Sequence, residues 1–321
     1  MNTRKRKWAP VIAVLMMIQA VPGFSQEGQR YSIYAGTDDV LPLVQAVSYT
    51  KVPFELVDGL IFVKAEVEGQ WGNFILDTGA PSLIINGENM KGGTEEWQGI
   101  TDDIKPHAIT VSQFSWAGIE KKGIEAIGLD ISHLEEAYQR KVLGIIGYQI
   151  FSDREILVNP QTKQIIILDG KKNYLNRITQ PISTIPFTIE GHLPVISAKA
   201  GSRTFRFGFD SGCTSNLLDQ KVLDQLSGGA YEIVGHKQLQ GFAEEPREVQ
   251  VISTSAITFE NLPIQNTTYL VTGLSHLEES GIHIDGFLGY PFFKGLAFSI
   301  NYASNQLSIW GIHGEEAELI P

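Results

Sequence analysis

The chain has 321 residues, with 25 basic and 36 acidic side chains, a net charge of −11 and one cysteine, Cys213. The acidic balance repels nucleic acid and anionic lipid, and a single thiol excludes an intrachain disulfide and a cysteine-built zinc knuckle. The histidines at 107, 133, 192, 236, 276, 283 and 313 form no pair at helical metal-ligand spacing, and no glycine-rich phosphate loop occurs. Neither a metal nor a cofactor is expected.

Residues 1–25 read as an export signal. Arg4, Lys5, Arg6 and Lys7 form a basic head, an apolar run follows over 9–21, and Gly23-Phe24-Ser25 offers a small-residue cleavage site after Pro22. A run of about 13 apolar residues is short against the roughly 20 that span a bilayer, so cleavage after Ser25 and a periplasmic or secreted location are expected, with no membrane span. Removing the signal leaves 21 basic against 36 acidic side chains. Residues 26–50 read as an N-terminal arm.

The remainder repeats itself, and repeats are sought before elements. Val52-Pro53-Phe54 recurs as Ile185-Pro186-Phe187, and Phe74-Ile75-Leu76-Asp77-Thr78-Gly79 as Phe207-Gly208-Phe209-Asp210-Ser211-Gly212, both at a spacing of 133. Gly92-Gly93 is echoed by Gly228-Gly229. Ser132-His133-Leu134-Glu135-Glu136 recurs letter for letter from Ser275 to Glu279, 143 residues on. Gly144-Ile145-Ile146-Gly147-Tyr148 matches Gly286-Phe287-Leu288-Gly289-Tyr290 at 142. One loop insertion in the second half explains the drift. The expected organisation is a lobe over 51–170, a linker over 171–181, a second lobe over 182–312 and a tail over 313–321.

Each half reads as mainly β. In the first, strand 60–67 turns at Glu68-Gly69 and returns over 71–76 straight into Asp77, and the second half repeats this over 194–200, Gly201-Ser202 and 204–209. Late strands are expected at 164–168 and 306–310, one in each lobe. Helical turns are expected at 132–138, 275–279 and 220–226.

Asp77-Thr78-Gly79-Ala80 and Asp210-Ser211-Gly212-Cys213 each follow an apolar strand and precede another. One Asp-Thr-Gly is an ordinary surface turn. Two, at equivalent places in a duplicated chain, suit a pair of facing carboxylates. The hydroxyls of Thr78 and Ser211 can bond across to the partner turn, and Gly79 and Gly212 let the backbones approach. The apolar-apolar-Gly elements at 145–147 and 287–289 can pack beneath the turns. Cys213 reads as a small buried hydrophobe, Tyr148 and Tyr290 as core aromatics ahead of cleft walls, and the Glu135-Glu136 and Glu278-Glu279 pairs as solvated helix ends.

This motif pair resembles the pepsin/retropepsin group of aspartic peptidases, and is most similar to the bacterial retropepsin-like, single-chain proteins. The resemblance implies a bilobal acid-protease fold: two duplicated, closed β-barrel-like lobes with a cleft between them. It implies that Asp77 and Asp210 face each other as catalytic residues, supported by Thr78, Gly79, Ser211 and Gly212. It implies an aspartic endopeptidase acting on a peptide or protein substrate, as a monomer because both halves lie in one chain. Flaps are sought at Gly99 to Lys105 and at Gln240-Gly241-Phe242. Two alternatives stay open: a non-catalytic peptide- or protein-binding relative in the cell envelope, and a structural envelope protein whose aspartates merely cap turns.

Overall fold

The computed structural model describes residues 49–87, 107–172, 174–175, 180–226, 229–239, 247–259, 262, 267–279 and 281–311. The export signal, the arm up to residue 48, the tail at 313–321 and both flap expectations lie outside these residues. Among the described residues no helix is long and apolar enough to cross a membrane.

The expectation of a mainly β, two-lobed chain holds. The first half runs β1 (Tyr49–Pro53), β2 (Glu55–Val57), β3 (Leu60–Val67), β4 (Gln70–Leu76), β5 (Ile84–Asn86), β6 (His107–Trp116) and β7 (Ile119–Leu129). It continues through α1 (Ser132–Tyr138), β8 (Gly144–Ile146), α2 (Tyr148–Phe151), β9 (Arg154–Asn159) and β10 (Gln164–Asp169). The second half runs β11 (Ser183–Pro186), β12 (Thr188–Glu190), β13 (Leu193–Ala200), β14 (Arg203–Phe209), β15 (Leu217–Asp219), α3 (Gln220–Leu223), β16 (Glu232–Leu239), β17 (Arg247–Thr254) and β18 (Thr258–Phe259). Then come β19 (Thr267–Thr272), α4 (Ser275–Glu279), β20 (Gly286–Leu288), α5 (Tyr290–Phe293), β21 (Ala297–Asn301) and β22 (Gln306–Trp310).

Two-residue turns set the hairpin registers. Glu68-Gly69 and Asp58-Gly59 hold positive φ at both positions (49° and 77°, 47° and 92°), the geometry whose twist matches that of paired strands. β3 and β4 then pair from Val67 opposite Gln70 to Phe62 opposite Ile75. Almost all of β3 is buried, because both of its faces are covered.

The first lobe is a seven-stranded sheet in the order β2-β3-β4-β8-β5-β7-β6. β6 returns to β3, with Glu66 opposite Ser115 and Val67 opposite Phe114, and closes a barrel. The second lobe repeats the path as β12-β13-β14-β20-β15-β19-β17-β16, with β18 against β13 through Lys199 opposite Thr258. In each lobe a short strand wedges between two others. β8 runs parallel to β4 and antiparallel to β5, and β20 does the same between β14 and β15. That wedge opens the strand ends where Asp77 and Asp210 sit.

The late strands depart from expectation. They are strands, but they do not belong to one lobe each. β1, β10 and β9 join β21, β22 and β11 in one six-stranded sheet. Its centre is the β9–β21 pair, in which Val158 faces Phe298, Leu157 faces Ser299 and Ile156 faces Ile300. This shared sheet fastens the halves together beyond the linker.

The matched positions also locate the insertion. The spacing is 133 where Ile84 and Leu217 occupy equivalent places on β5 and β15. It is 143 where Ala108 and Val251 occupy equivalent places on β6 and β17. The surplus therefore lies in the second half between β15 and β17. The helices expected at 132–138 and 275–279 form as read, and 220–226 shortens to α3. The single turns α2 and α5, after each apolar-apolar-Gly element, were not anticipated. They are only four residues each, too short for a periodicity to show.

Candidate active site

Each aspartate turn hangs from the end of a buried strand. The Asp77 N–H donates to Ile146 O on β8 at 3.0 Å, and the Asp210 N–H to Leu288 O on β20 at the same distance. Beneath each turn runs the apolar-apolar-Gly element. A Cβ on Gly147 would lie 2.5 Å from Ala80 O, and one on Gly289 would lie 2.3 Å from Cys213 O. Side chains larger than hydrogen would push the turns out of place.

The hydroxyls bond across the lobes. Thr78 Oγ1 donates to Phe209 O (3.2 Å) and accepts from the Ser211 N–H (2.9 Å). Ser211 Oγ donates to Leu76 O (2.9 Å) and accepts from the Thr78 N–H (3.0 Å). Four bonds therefore tie two turns that are 133 residues apart in sequence. All four groups are buried, where an unmade bond costs more than a made one gains.

The glycines bring the carboxyls together. A Cβ on Gly79 would sit 2.5 Å from the Asp210 carboxyl carbon, and one on Gly212 would sit 2.4 Å from that of Asp77. Each aspartate also accepts from its own turn: Asp77 Oδ1 from Gly79 N–H (2.7 Å) and Ala80 N–H (3.1 Å), Asp210 Oδ1 from Gly212 N–H (2.8 Å). The Oδ2 atoms of both are buried and accept from no protein donor. A proton shared between the carboxyls supplies the missing donor.

Electrostatics couple the two. Burial raises Asp77 above its ordinary value, while bonds from Asp210, Gly79 and Ala80 pull it back. Burial raises Asp210 further, and the neighbouring Asp77 charge adds to it. Two carboxylates about 4 Å apart repel by about 4 kcal/mol at an effective dielectric near 20, so they titrate as a pair.

The structure thus brings Asp77, Thr78, Gly79, Asp210, Ser211 and Gly212 into one place. Cys213 is buried as expected, with its thiol donating to Ser215 O at 2.9 Å and burial raising it well above its ordinary range. Tyr148 and Tyr290 are partly buried and pack against the edge of the core. Tyr148 meets Tyr302 edge-on, and Tyr290 packs on Phe293 and over Gly59. The Glu135 side chain is 10% exposed and accepts from the Val142 N–H at 2.9 Å and from Lys141 Nζ at 2.9 Å, so it is a partly buried brace and not a solvated helix end. Glu278 is half exposed and pairs with Lys221.

Sequence reasoning missed two residues at this place. His192 lies on the β12–β13 turn, buried, with Nε2 2.6 Å from Gly79 O in the opposite lobe. Tyr302, just after β21, is buried among Tyr148, Phe151 and Phe187. Burial, and then the charges of Asp77, Tyr148 and Asp210, hold it well above its ordinary range. Both lie where the other half carries a different residue type (Gly59 and Pro160), so the repeat gave no signal for them.

No family model matches the chain, and no curated protein matches it. Among solved structures it is similar to the basic 7S globulin from soybean, at 10% identity and a TM-score of 0.46, over 83% of this chain and 95% of that one. Likeness at that level carries neither fold nor function across. The expected membership in the pepsin/retropepsin aspartic peptidases is corrected, because no peptidase family model matches the chain. The physical reason is the small size of the motif. Two four-residue turns and two short supporting strands carried the resemblance, and the intervening sequence does not.

Proposed function

We propose that the chain is an aspartic-type endopeptidase that hydrolyses peptide bonds through water activated by Asp77 and Asp210. The observation that carries this reading is the pair of buried carboxyls held in contact by facing turns, with one Oδ2 on each left for a shared proton. In the reaction the ionised carboxylate takes a proton from water as the oxygen attacks the peptide carbonyl carbon. The protonated partner donates to the carbonyl oxygen. The tetrahedral adduct then collapses, the C–N bond breaks, and a carboxyl returns a proton to the leaving amine. Thr78, Ser211, Gly79 and Gly212 hold the geometry. The two product peptides together contain the atoms of the substrate plus one water, so the step balances without any further reactant.

Export through residues 1–25 is part of the same proposal, as is action by a single chain. Activity requires one proton on the pair. It therefore falls at low pH as the second proton binds and at higher pH as the last one leaves. Because burial raises both groups, the upper limb lies above the ordinary carboxylate range.

One observation favours a second reading, a non-catalytic peptide- or protein-binding module: neither carboxyl has any exposed surface. Cleavage of a diverse peptide library from about pH 3 to 7 decides between them, with Asp77→Asn and Asp210→Asn run beside the parent chain. The expected loss in each variant is about 10³-fold or more, with unfolding midpoints kept. Substantial turnover in either variant would remove that aspartate from the dyad. A folded parent chain without cleavage would favour the binding module.

A further inference from the structure

The two lobes differ at one residue that touches the aspartate turn. In the first half the β2–β3 turn is Asp58-Gly59, with both φ positive, and a Cβ on Gly59 would lie 3.0 Å from the Tyr290 ring. No side chain can be presented there. In the second half the turn is Gly191-His192, with positive φ only at Gly191 (64°). A Gly-X turn of this kind leaves its second position free for an L side chain, and His192 occupies the place of Gly59.

His192 reaches across the lobes. It is 7% exposed, and its Nε2 lies 2.6 Å from Gly79 O, a contact between residues 113 apart. A carbonyl oxygen only accepts, so Nε2 carries the hydrogen. That carbonyl belongs to the same peptide group as the Ala80 N–H, which donates to Asp77 Oδ1 at 3.1 Å. A donor on the oxygen of a peptide polarises it and strengthens its N–H as a donor. The chain of bonds runs from imidazole to peptide to carboxylate. The second turn lacks this arrangement: the Cys213 N–H bonds the backbone oxygen of Asp210 at 3.2 Å instead of its side chain.

We propose that His192 is a positioning residue for the dyad, fixing the Asp77 carboxyl and favouring its ionised form through the Gly79–Ala80 peptide. This rests on the reading of Asp77 and Asp210 as the reacting pair. Among the described residues, the titratable groups interacting with the pair are the two aspartates themselves, Cys213 from the second turn and Tyr302 from beyond β21. None of these is altered by changing His192. Burial lowers the His192 imidazole below its ordinary value, and the bond to the Gly79 peptide partly offsets it.

The tautomer is read first, on the unaltered chain, from long-range ¹H–¹⁵N spectra. Hydrogen on Nε2 is expected; hydrogen on Nδ1 alone overturns the proposal, and this needs no variant that might fail to fold. The ¹³C-carboxyl titrations of Asp77 and Asp210 are then compared in the parent chain, His192→Gln and His192→Leu. The Leu variant, without a donor, should raise the lower step of the pair by about half to one pH unit. The Gln variant, which keeps an N–H donor, should stay near the parent. Coincident curves for all three, or equal shifts in Gln and Leu, overturn the proposal. Where peptide cleavage is measured, kcat should fall about three- to tenfold in the Leu variant with KM held. The titrations require no turnover. A shift in a chain that cleaves nothing would leave the positioning role standing and sink the hydrolase reading. Cleavage without a shift would do the reverse.

Discussion

The two halves share a plan and differ in detail, and the differences fall where the shared plan leaves room. Both turns carry an aspartate, a hydroxyl and a glycine, and the cross-lobe bonds are reciprocal within 0.3 Å. Neither hydroxyl can change alone, because each satisfies two backbone groups of the other half. Around this locked centre the halves diverge. Gly59 is the equivalent of His192, Ala80 of Cys213, and Glu155 of Ala297 in the shared sheet. The lesson is that reciprocity preserves the centre, while a single-chain duplication lets the surroundings become unequal.

Breaking the glycines should have the largest effect. Gly79→Ala and Gly212→Ala each place a methyl group on the opposite carboxyl. Each should cost about 3–5 kcal/mol in urea unfolding and abolish peptide cleavage. Comparable losses would confirm that the two turns are mechanically equivalent, and a loss confined to one would break the comparison.

Removing one hydroxyl should cost less. Thr78→Val leaves the Ser211 N–H and Phe209 O without partners, and Ser211→Ala leaves the Thr78 N–H and Leu76 O. Each should destabilise by about 2–4 kcal/mol. The double variant should cost less than the sum, since both changes dismantle one network. Strict additivity would show that the two hydroxyls act separately.

The smallest effect sharpens the asymmetry of the shared sheet. Glu155 is buried there, accepting from Ser299 Oγ (2.9 Å) and Asn301 Nδ2 (3.3 Å), while Trp310 Nε1 donates to Ser299 Oγ (3.0 Å). Burial raises its carboxyl above the ordinary value of 4.5. The native state therefore holds this proton more tightly than the unfolded chain. Its contribution to stability is fully present below the unfolded value and is lost as pH rises through the raised one. Glu155→Gln should flatten that decline in unfolding free energy, with a change of under about 1 kcal/mol at acidic pH. A decline unaltered by the substitution would show that other groups cause it.

Much of the architecture was legible because it was written twice. The repeat of Phe74–Gly79 at Phe207–Gly212 paired two turns that local pattern alone would have left as surface loops. The hairpins could be read from Glu68-Gly69 and Gly201-Ser202, where turn chemistry is local. The same letters misled on family, because a few matched turns resemble a group that the whole chain does not match. They also misled on Glu135, whose brace to Val142 depends on how the chain returns after α1.

The sequence by itself determined the duplication, the strand-rich halves and the equivalence of Asp77 with Asp210. Those properties come from local periodicity and from comparing the chain with itself. Only the tertiary structure decided that the late strands merge into one sheet, that His192 reaches Gly79, and that Glu155 lies buried against Ser299 and Asn301. The His192 and Glu155 contacts join residues 113 to 146 apart and have no counterpart in the other half. Neither periodicity nor repetition can signal such contacts, because they exist only once both lobes have packed.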